Sequence, residues 1–326
     1  MKKILLSLLT FLLAGLLVAC NTGDDNDSEN NDPMEETAED TNGRVETDEA
    51  EASGEGNGGF LWKVEHGDTE MYLQGTIHLG HDDFYPLDPA IEEAFESADV
   101  VLPEFNMLEV DISEEELMDY VMFSDDTTLE EVLSEDTYEE LGSIFESAGM
   151  DVETLNDFEP WYVEMMLLQI GMTMSNVNAQ DAVDLYFLER AIEDDKEIID
   201  LESPEQQFQM LTDYSMETQV QTLEKAVQGF DSYPAELDEL AEDWLAGDIE
   251  AMRSMSEEYE EADINDEYWT EINDNRNIDM ADTLDEILQD DSGQTYFVFV
   301  GTAHLTIDPS IVTELEDKGY QVEHIY

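Results

Sequence analysis

The feature that most constrains the fold of this chain is a short apolar run ending in Gly-Thr-X-His, which occurs twice. The first copy is YLQGTIH at residues 72–78, and the second is FVFVGTAH at residues 297–304. In each copy a proline, a helical pattern and another short apolar segment follow, which gives strand–GxxH–helix–strand units at 71–104 and 295–326. Asp88 as N-cap and Pro89 at the first position predict the helix start in the first unit, and residues 321–326 predict the closing strand of the second. Such units are typical of βαβ crossovers. The repeat therefore predicts an α/β fold with a central mixed or parallel sheet built from the two units.

The segment between the two units predicts a large helical insertion. Residues 113–195 and 213–290 carry apolar residues mostly at helical spacing, and a short strand pattern at 196–201 interrupts them. Ahead of the first copy, residues 60–73 predict a β-hairpin with its turn at Gly67. The two units thus lie at the ends of one folded region.

The charge of the chain narrows its possible partners. Asp and Glu number 86 against 10 Lys and Arg, for a net charge of −76, which excludes nucleic acid and anionic lipid head groups as ligands. Two interpretations remain: a disordered chain, or a folded protein whose carboxylate surface suits high salt. Hydrophobic residues make up 41% of the chain, which favours the folded interpretation for residues 60–326. A halophilic or alkaline habitat is then expected, with an acidic secreted protein as the alternative.

The N-terminal region predicts export and anchoring. Residues 1–19 have two lysines, an apolar run and small residues, which is the layout of a signal peptide and too short for a comfortable membrane span. The ending resembles a bacterial lipobox, which implies cleavage before Cys20 and a lipid on its sulfur; an incidental cysteine is the alternative. Residues 20–59 lack aromatic residues and predict an acidic disordered linker. The domain at 60–326 would then be held on the extracytoplasmic face of the cell membrane.

The repeated motif supplies candidate binding residues. A parallel strand delivers its last residues to the carboxyl edge of the sheet, where α/β proteins bind ligands. Glycine there allows close approach of a ligand, threonine offers a hydroxyl, and histidine is a metal ligand or proton shuttle. Two capping histidines inherited by duplication are the alternative. The candidates are Gly75, Thr76 and His78 in the first copy and Gly301, Thr302 and His304 in the second.

Two glutamates end short apolar segments and extend this set. Glu104 and Glu202 would be desolvated at such positions, which is costly without a cation or a donor. Two histidines and two glutamates form a mixed nitrogen and oxygen set that suits Zn, Mn or Co better than Ca. The alternative for each glutamate is a charge at a helix N-terminus, which Pro204 makes reasonable for Glu202. His66, His81 and His324 are interpreted as bystanders.

Arg276 is notable because cationic residues are so scarce in this chain. An arginine amid so much acid is able to clamp a carboxylate or phosphate, or to stabilise a developing oxyanion. An ordinary salt bridge is the alternative. Asn277 follows it directly and would lie at the same helix start.

Together these residues resemble the TraB/PrgY/GumN family, which includes the Tiki proteases. The resemblance implies an α/β fold related to the erythromycin-esterase and ChaN-like group, and a metal-dependent peptidase that uses both GxxH histidines and an acid. It implies a metal held by His78, His304 and Glu104, with Arg276 and Asn277 as an RN pair. It also places Asp184 and Glu202 at acidic positions of the family. The matching stretches are LWKVEHGDTEMYLQGTIHLG, VVLPE, DLYFLERAIEDDKEIIDLESPEQQ, RNIDMA and VFVGTAHL.

The sequence therefore predicts a lipid-anchored, metal-dependent hydrolase that acts on a peptide or protein. In this hypothesis Glu202 is the base and Arg276 stabilises the oxyanion, with a divalent metal (Mn, Co or Zn) as cofactor. The glycines and threonines of the motifs would contact the substrate. The main alternative is a non-catalytic lipoprotein that sequesters a peptide signal, as in pheromone shutdown. A third interpretation is an acidic coat protein of the cell surface. Bound metal is expected of the hydrolase, whereas the coat protein predicts neither metal nor peptide turnover.

Overall fold

A computed structural model describes residues 58–110, 112–254 and 266–326. The predicted signal peptide, Cys20 and almost all of the predicted linker lie outside these residues. Within the described ranges, none of the helices combines the length and the apolar character needed to cross a membrane.

One mixed sheet of six strands organises the part of the chain that the structure describes. The order across the sheet is β4-β3-β5-β2-β1-β6, with β4, β3, β5 and β2 parallel and β1 antiparallel to both of its neighbours. The strands are β1 (Phe60–His66), β2 (Thr69–Thr76), β3 (Val100–Pro103), β4 (Glu197–Ile198), β5 (Thr295–Gly301) and β6 (Val322–His324). The prediction of an α/β protein with a mixed sheet is confirmed.

Helices cover the sheet and fill the long insertion between β3 and β5. A π-helical turn, Thr270–Asp274, leads directly into the helix that carries Arg276. Among the described residues, 3₁₀ turns lie at Asp82–Phe84, Met107–Glu109, Val152–Leu155 and Phe230–Ser232. The α-helices with both ends described include α1 (Pro89–Ser97), α2 (Glu114–Val121), α3 (Leu129–Val132), α4 (Glu135–Ser147), α5 (Pro160–Thr173), α6 (Val183–Glu193), α7 (Pro204–Thr212), α8 (Met216–Gly229), α9 (Tyr233–Leu245), α10 (Asp266–Trp269), α11 (Asn275–Gln289), α12 (Thr302–Thr306) and α13 (Ile311–Asp317).

The strand of the second unit lies between the two strands of the first. β5 pairs with β2 on one side, where Thr76 is opposite Gly301, and with β3 on the other, where Pro103 is opposite Phe299. The β2–α1–β3 crossover therefore spans β5. As a result, both GxxH motifs and the residue after β3 leave the sheet side by side at the same edge.

The core explains why β5 occupies the centre. Its apolar run from Tyr296 to Val300 is buried, as expected for a parallel strand covered on both faces. Phe187 of α6 contacts the run, with its ring centroid 4.9 Å from that of Phe297 and 5.8 Å from that of Phe299. Burying one such phenylalanine stabilises the fold by about 1.5–3 kcal/mol, so this contact fixes α6 against the sheet next to the motifs.

Two strand predictions were too long. The segment 196–201 pairs as a regular strand only at Glu197–Ile198, although the N–H groups of Ile199 and Leu201 still donate to carbonyls of the β3 strand at 3.0 Å. The closing strand is Val322–His324 rather than all of 321–326. In the first case the chain already turns toward α7, whose capping box between Ser203 and Gln206 fixes the helix start directly after Glu202.

Candidate functional site

The site lies where β2, β3 and β5 end, and Gly301 marks its centre. A Cβ atom built on Gly301 would lie 3.4 Å from Glu104 Oε1, 3.6 Å from His304 Cδ2 and 3.9 Å from His78 Nε2. The three residues that the sequence predicted as metal ligands thus face one point from three separate segments of the chain. The absence of a side chain on Gly301 keeps that point open.

His304 lies in α12 and is fully buried. Its Nδ1 lies 2.6 Å from Asn277 Oδ1, and Asn277 Nδ2 donates to the Pro309 carbonyl at 2.7 Å. Because that second bond fixes the orientation of the amide, His304 Nδ1 is the donor and Nε2 carries the lone pair. Nε2 lies 3.6 Å from Glu104 Oε1 and has no hydrogen-bond partner among the described residues. Burial and the charge of Arg276 lower the pKa of His304 to about 3, so its imidazole is neutral.

His78 follows β2 in a loop and contacts a carboxylate instead of an amide. Its Nδ1 lies 3.0 Å from Asp184 Oδ1, in a charge contact that is not aligned as a hydrogen bond. Asp184 is in the first turn of α6, and the Val183 N–H of the same turn donates to the Ile77 carbonyl at 3.0 Å. Burial lowers the pKa of His78, but the nearby carboxylates of Asp184 and Glu104 together outweigh this effect, and the net pKa is raised.

Arg276 joins the two predicted glutamates. Its Nη2 donates to Glu104 Oε2 at 2.7 Å and to Glu202 Oε2 at 2.6 Å, and its Nε donates to Glu202 Oε1 at 2.8 Å. Arg276 as a residue is only 7% exposed, and the fourth contact of its guanidinium is from Nη1 to the Ile272 carbonyl of the π-helical turn at 3.1 Å. The two parallel hydrogen bonds from Arg276 to Glu202 fix the orientation of the guanidinium as well as compensating its charge.

Glu104 is held as an ion by its surroundings. Its Oε1 accepts the Gly301 N–H at 2.7 Å, while Oε2 accepts from Arg276. Burial alone raises the pKa of Glu104, but Arg276 and the two histidines lower it to about 2. Glu202 also accepts from Gln207 Nε2 at 2.6 Å, so both of its oxygens have donors. Glu202 therefore orients Arg276, and its predicted role as base stays a prediction.

The remaining motif residues divide into two groups. Thr302 Oγ1 donates to the Thr76 carbonyl at 2.9 Å and accepts from Trp244 Nε1 at 3.0 Å. A Cβ on Gly75 would lie 2.7 Å from the same Oγ1. Gly75 and Thr302 thus connect the two motifs by direct contact, and this connection is the structural tie between them. The Thr76 hydroxyl, in contrast, is buried and has no partner within the described ranges.

A small cavity adjoins His78 and Glu104. It offers about 10 Å³ to the centre of a water-sized sphere, which is room for about one water molecule. Its wall combines polar and apolar side chains. The lining residues are Thr76, His78, Pro103, Glu104, Phe105, Met107, Asp184, Leu188 and Phe299.

The donor set fits a divalent cation in chemistry. His304 presents a free Nε2 lone pair, His78 turns its Nε2 toward the same point, and each oxygen of Glu104 keeps a second lone pair. Within residues 58–110, 112–254 and 266–326, however, no three His, Cys, Asp or Glu side chains already form a coordinating group. Glu104 is turned toward Arg276 and the Gly301 N–H, so it would have to share its oxygens with a metal.

The three histidines interpreted as bystanders lie away from this site. His66 and His324 are exposed on β1 and β6, and His81 pairs with Asp83 in a loop. Sequence reasoning gave Asp184 only through a family resemblance and missed Trp244. A signal for Asp184 exists, because it precedes Phe187 and Leu188 by three and four residues and therefore shares their buried helix face.

Comparison with known proteins agrees with the resemblance. The chain matches the TraB/PrgY/gumN family over residues 60–324, and it belongs to this family. It is 24% identical over 212 residues to an uncharacterized protein of Treponema pallidum (strain Nichols), a match that covers 61% of each chain. It is 26% identical over 145 residues to the uncharacterized protein YbaP of Escherichia coli (strain K12), which covers 44% of this chain and 53% of YbaP. The chain thus spans only about half to three fifths of these curated relatives, and no solved structure gives a significant match.

Proposed function

We propose that this protein is a metal-dependent hydrolase of the peptidase type, with His78, His304 and Glu104 as the metal ligands. The observation that carries the proposal is the Nε2 atom of His304, which has no partner among the described residues. An unpartnered buried acceptor costs about 1–3 kcal/mol. A cation at the point that His78 and Glu104 also face would supply the partner.

The charges around the site support a cation as the ligand. Glu104, Glu202 and Asp184 are 6%, 8% and 7% exposed, and Arg276 is the cation that pairs with two of them. Buried carboxylates outnumber the guanidinium, and isolated buried charges are costly. A divalent ion would balance this excess. Neutral His304 is already in the form that binds metals.

The contacts of the chain suggest what each residue contributes to hydrolysis. A bound divalent ion would supply Lewis-acid activation of a water or a carbonyl. Asn277 and Asp184 hold the two imidazoles by their Nδ1 atoms. Arg276 lies beside Glu104 with a fixed guanidinium and would stabilise negative charge on the reacting carbonyl. Glu202 keeps that guanidinium in place through two hydrogen bonds.

The location and the finer fold are also proposals. The lipobox-like ending before Cys20 supports a lipid anchor on the extracytoplasmic face, and the long acidic stretch after it supports a spacer. The alternation of β2, β5 and β3 supports a relationship to the erythromycin-esterase and ChaN-like group. Cys20→Ser should move the protein from the membrane fraction to the soluble fraction. Retention of that variant in the membrane would argue against the anchor.

The test of the hydrolase is metal content combined with turnover. Full-length protein would be equilibrated with Mn, Co or Zn, dialysed, analysed for bound metal, and screened against a peptide library in high salt. We expect near-stoichiometric metal and cleavage in the wild type, and loss of both in His78→Gln and His304→Gln. His81→Gln is the matched control, because His81 pairs with Asp83 away from the site. Wild-type protein that retains no more metal than His304→Gln would overturn the proposal.

A second candidate is peptide binding without turnover. It is favoured by the finding that Arg276 already neutralises part of the acidic group and that no ready coordinating set stands among the described residues. In that case peptides would bind the wild type with no cleavage under any of the three metals. The histidine variants would then change affinity alone.

A further inference from the structure

The cavity beside His78 is lined by two buried residues, Thr76 and Asp184, that each carry a polar atom without an aligned hydrogen-bond partner among the described residues. Thr76 is 2% exposed and Asp184 is 7% exposed. Their Oγ1 and Oδ1 atoms both lack hydrogen-bond partners in the described part of the chain, apart from the unaligned contact between Asp184 and His78. Unsatisfied buried polar atoms are rare in native proteins and call for a specific explanation.

The size of the cavity restricts what the two atoms can bind. It has room for about one water-sized group, so a side chain or a peptide unit does not fit. A single small polar group does: a water molecule, or the nitrogen of a primary ammonium whose carbon chain extends out of the cavity.

The chemistry of the wall distinguishes these two. An ionised carboxylate only accepts hydrogen bonds, and the Thr76 hydroxyl is able to accept as well. Asp184 and Thr76 therefore each offer an acceptor without an aligned donor. Glu104, whose oxygens already accept from Gly301 and Arg276, adds a negative charge to the same wall. An ammonium has three N–H donors and a positive charge, whereas a water has only two O–H donors and no charge. The wall is thus better matched to an ammonium.

We propose that this cavity, between Thr76, Asp184 and Glu104, is a subsite for a primary ammonium group of the substrate. The inference rests on the proposed hydrolase, because it assigns a substrate class to the same site. The cavity adjoins His78 and Glu104, so a bound amino terminus would place the first peptide bond beside the ligands. The expected activity is removal of residues from free amino termini. A lysine side chain has the same ammonium group, but its length would place the peptide bond further away.

The first experiment compares substrates on the metal-loaded full-length protein. One peptide without lysine would be offered with a free amino terminus and with an N-acetylated terminus, and the acetylated form would also be offered with one lysine. We expect kcat/KM for the free terminus to exceed that of the acetylated peptide by roughly tenfold or more, since a hydrogen-bonded buried charge is lost. Equal rates for the free and acetylated peptides would overturn the subsite while leaving the hydrolase intact. Preference for the lysine peptide would overturn the assignment to the amino terminus.

The second experiment does not depend on turnover. Butylammonium and butanol would be titrated calorimetrically into wild type, Asp184→Asn, Thr76→Val and the control Asp279→Asn, which changes an exposed carboxylate of α11. We expect butylammonium to bind the wild type and the control, to bind Asp184→Asn roughly tenfold more weakly, and butanol not to bind. Thermal unfolding would verify that each variant is folded, and Thr76→Val provides a second reading if Asp184→Asn is not.

Equal affinity of butylammonium for the wild type and for both site variants would overturn the subsite. Failure of every peptide to be cleaved, together with ammonium binding that needs Asp184, would remove the hydrolase but keep the ammonium site. The two failures are therefore distinguishable.

Discussion

The two Gly-Thr-X-His motifs have nearly the same sequence but use their residues in opposite ways. In the first motif, Gly75 contacts the structural tie and Thr76 lines the cavity. In the second motif, Gly301 borders Glu104, His304 and His78, and Thr302 forms the tie. The pairing register explains the exchange, because Thr76 is opposite Gly301 and not opposite Thr302. A shift of one residue turns equivalent side chains to opposite faces of a sheet. A repeated motif therefore does not give a repeated environment.

The two histidines differ in the same manner. His304 is oriented by the amide of Asn277 and stays neutral, whereas His78 lies against the carboxylate of Asp184. An imidazole beside a carboxylate is the more basic one. The site thus has one fixed neutral imidazole and one imidazole whose charge depends on pH.

The largest expected effect distinguishes the buried ion pairs of Arg276 with Glu104 and Glu202 from ion pairs at the surface. Arg276→Met should lower the free energy of unfolding by about 3–5 kcal/mol, since Glu104 and Glu202 would stay buried without their partner. Lys318→Met, which removes a surface pair with Asp282, should cost at most about 1 kcal/mol. Urea unfolding at neutral pH and fixed salt would measure both. Similar losses of unfolding free energy in the two variants would contradict the importance of these buried ion pairs.

The next effect tests the exchange of glycine roles. Gly75→Ala should destabilise the protein by about 1–3 kcal/mol, because its Cβ would meet Thr302 Oγ1 at 2.7 Å. Gly301→Ala would meet only contacts of 3.4 Å or more, so unfolding should hardly change while metal binding and turnover are lost. Unfolding curves and metal analysis on the same samples would separate the two. If both alanines behave alike, the motifs are equivalent after all.

A smaller effect is expected from the threonines. Thr302→Val removes a hydrogen bond to the Thr76 carbonyl and one from Trp244, for a loss of about 1–2 kcal/mol. Thr76→Val should leave stability nearly unchanged, because the hydroxyl has no partner among the described residues. Thermal or urea unfolding of the two valine variants is the measurement. A greater loss in Thr76→Val would reverse the assignment of the tie.

The smallest effect is a difference in pH dependence, measured without metal. The pKa of His304 is lowered to about 3 from 6.5, so only the unfolded state takes up its proton between those values and stability falls as pH falls. The pKa of His78 is raised, so its contribution is present below pH 6.5 and is lost as pH rises through the folded value. Each slope is at most about 1.4 kcal/mol per pH unit. His304→Gln should flatten the acid slope and His78→Gln the alkaline one; identical profiles would contradict this assignment.

The sequence predicted the parts of the fold that depend on local chemistry. The hairpin around Gly67 and the helix start after Asp88 follow from turn and cap residues. The insertion of β5 between β2 and β3 did not follow from local pattern, because parallel pairing joins strands more than 200 residues apart along the chain.

At the site, residue types were easier to predict than contacts. His78, His304 and Glu104 could be chosen because each ends an apolar strand pattern, and the structure brings them to one point. The difference between Gly75 and Gly301 could not be predicted, since it depends on a register of one residue between distant strands. The contact of Trp244 with Thr302 joins the helical insertion to a motif 58 positions away, and nothing near Trp244 in the sequence indicates it.

The π-helical turn before Arg276 has a consequence for insertions and deletions. A π turn contains one residue more than an α turn, and the bond from the Asn275 N–H to the Thr270 carbonyl shows the wider ring. Deleting one residue between Thr270 and Asp274 would convert this segment into an ordinary α turn, and because one turn replaces one turn, α10 and α11 would keep nearly the same facing. The same deletion inside α11 would instead rotate one half of that helix by about 100° relative to the other. The π-helical turn is therefore the place where this helix can lose one residue and still present Arg276 and Asn277 to the centre.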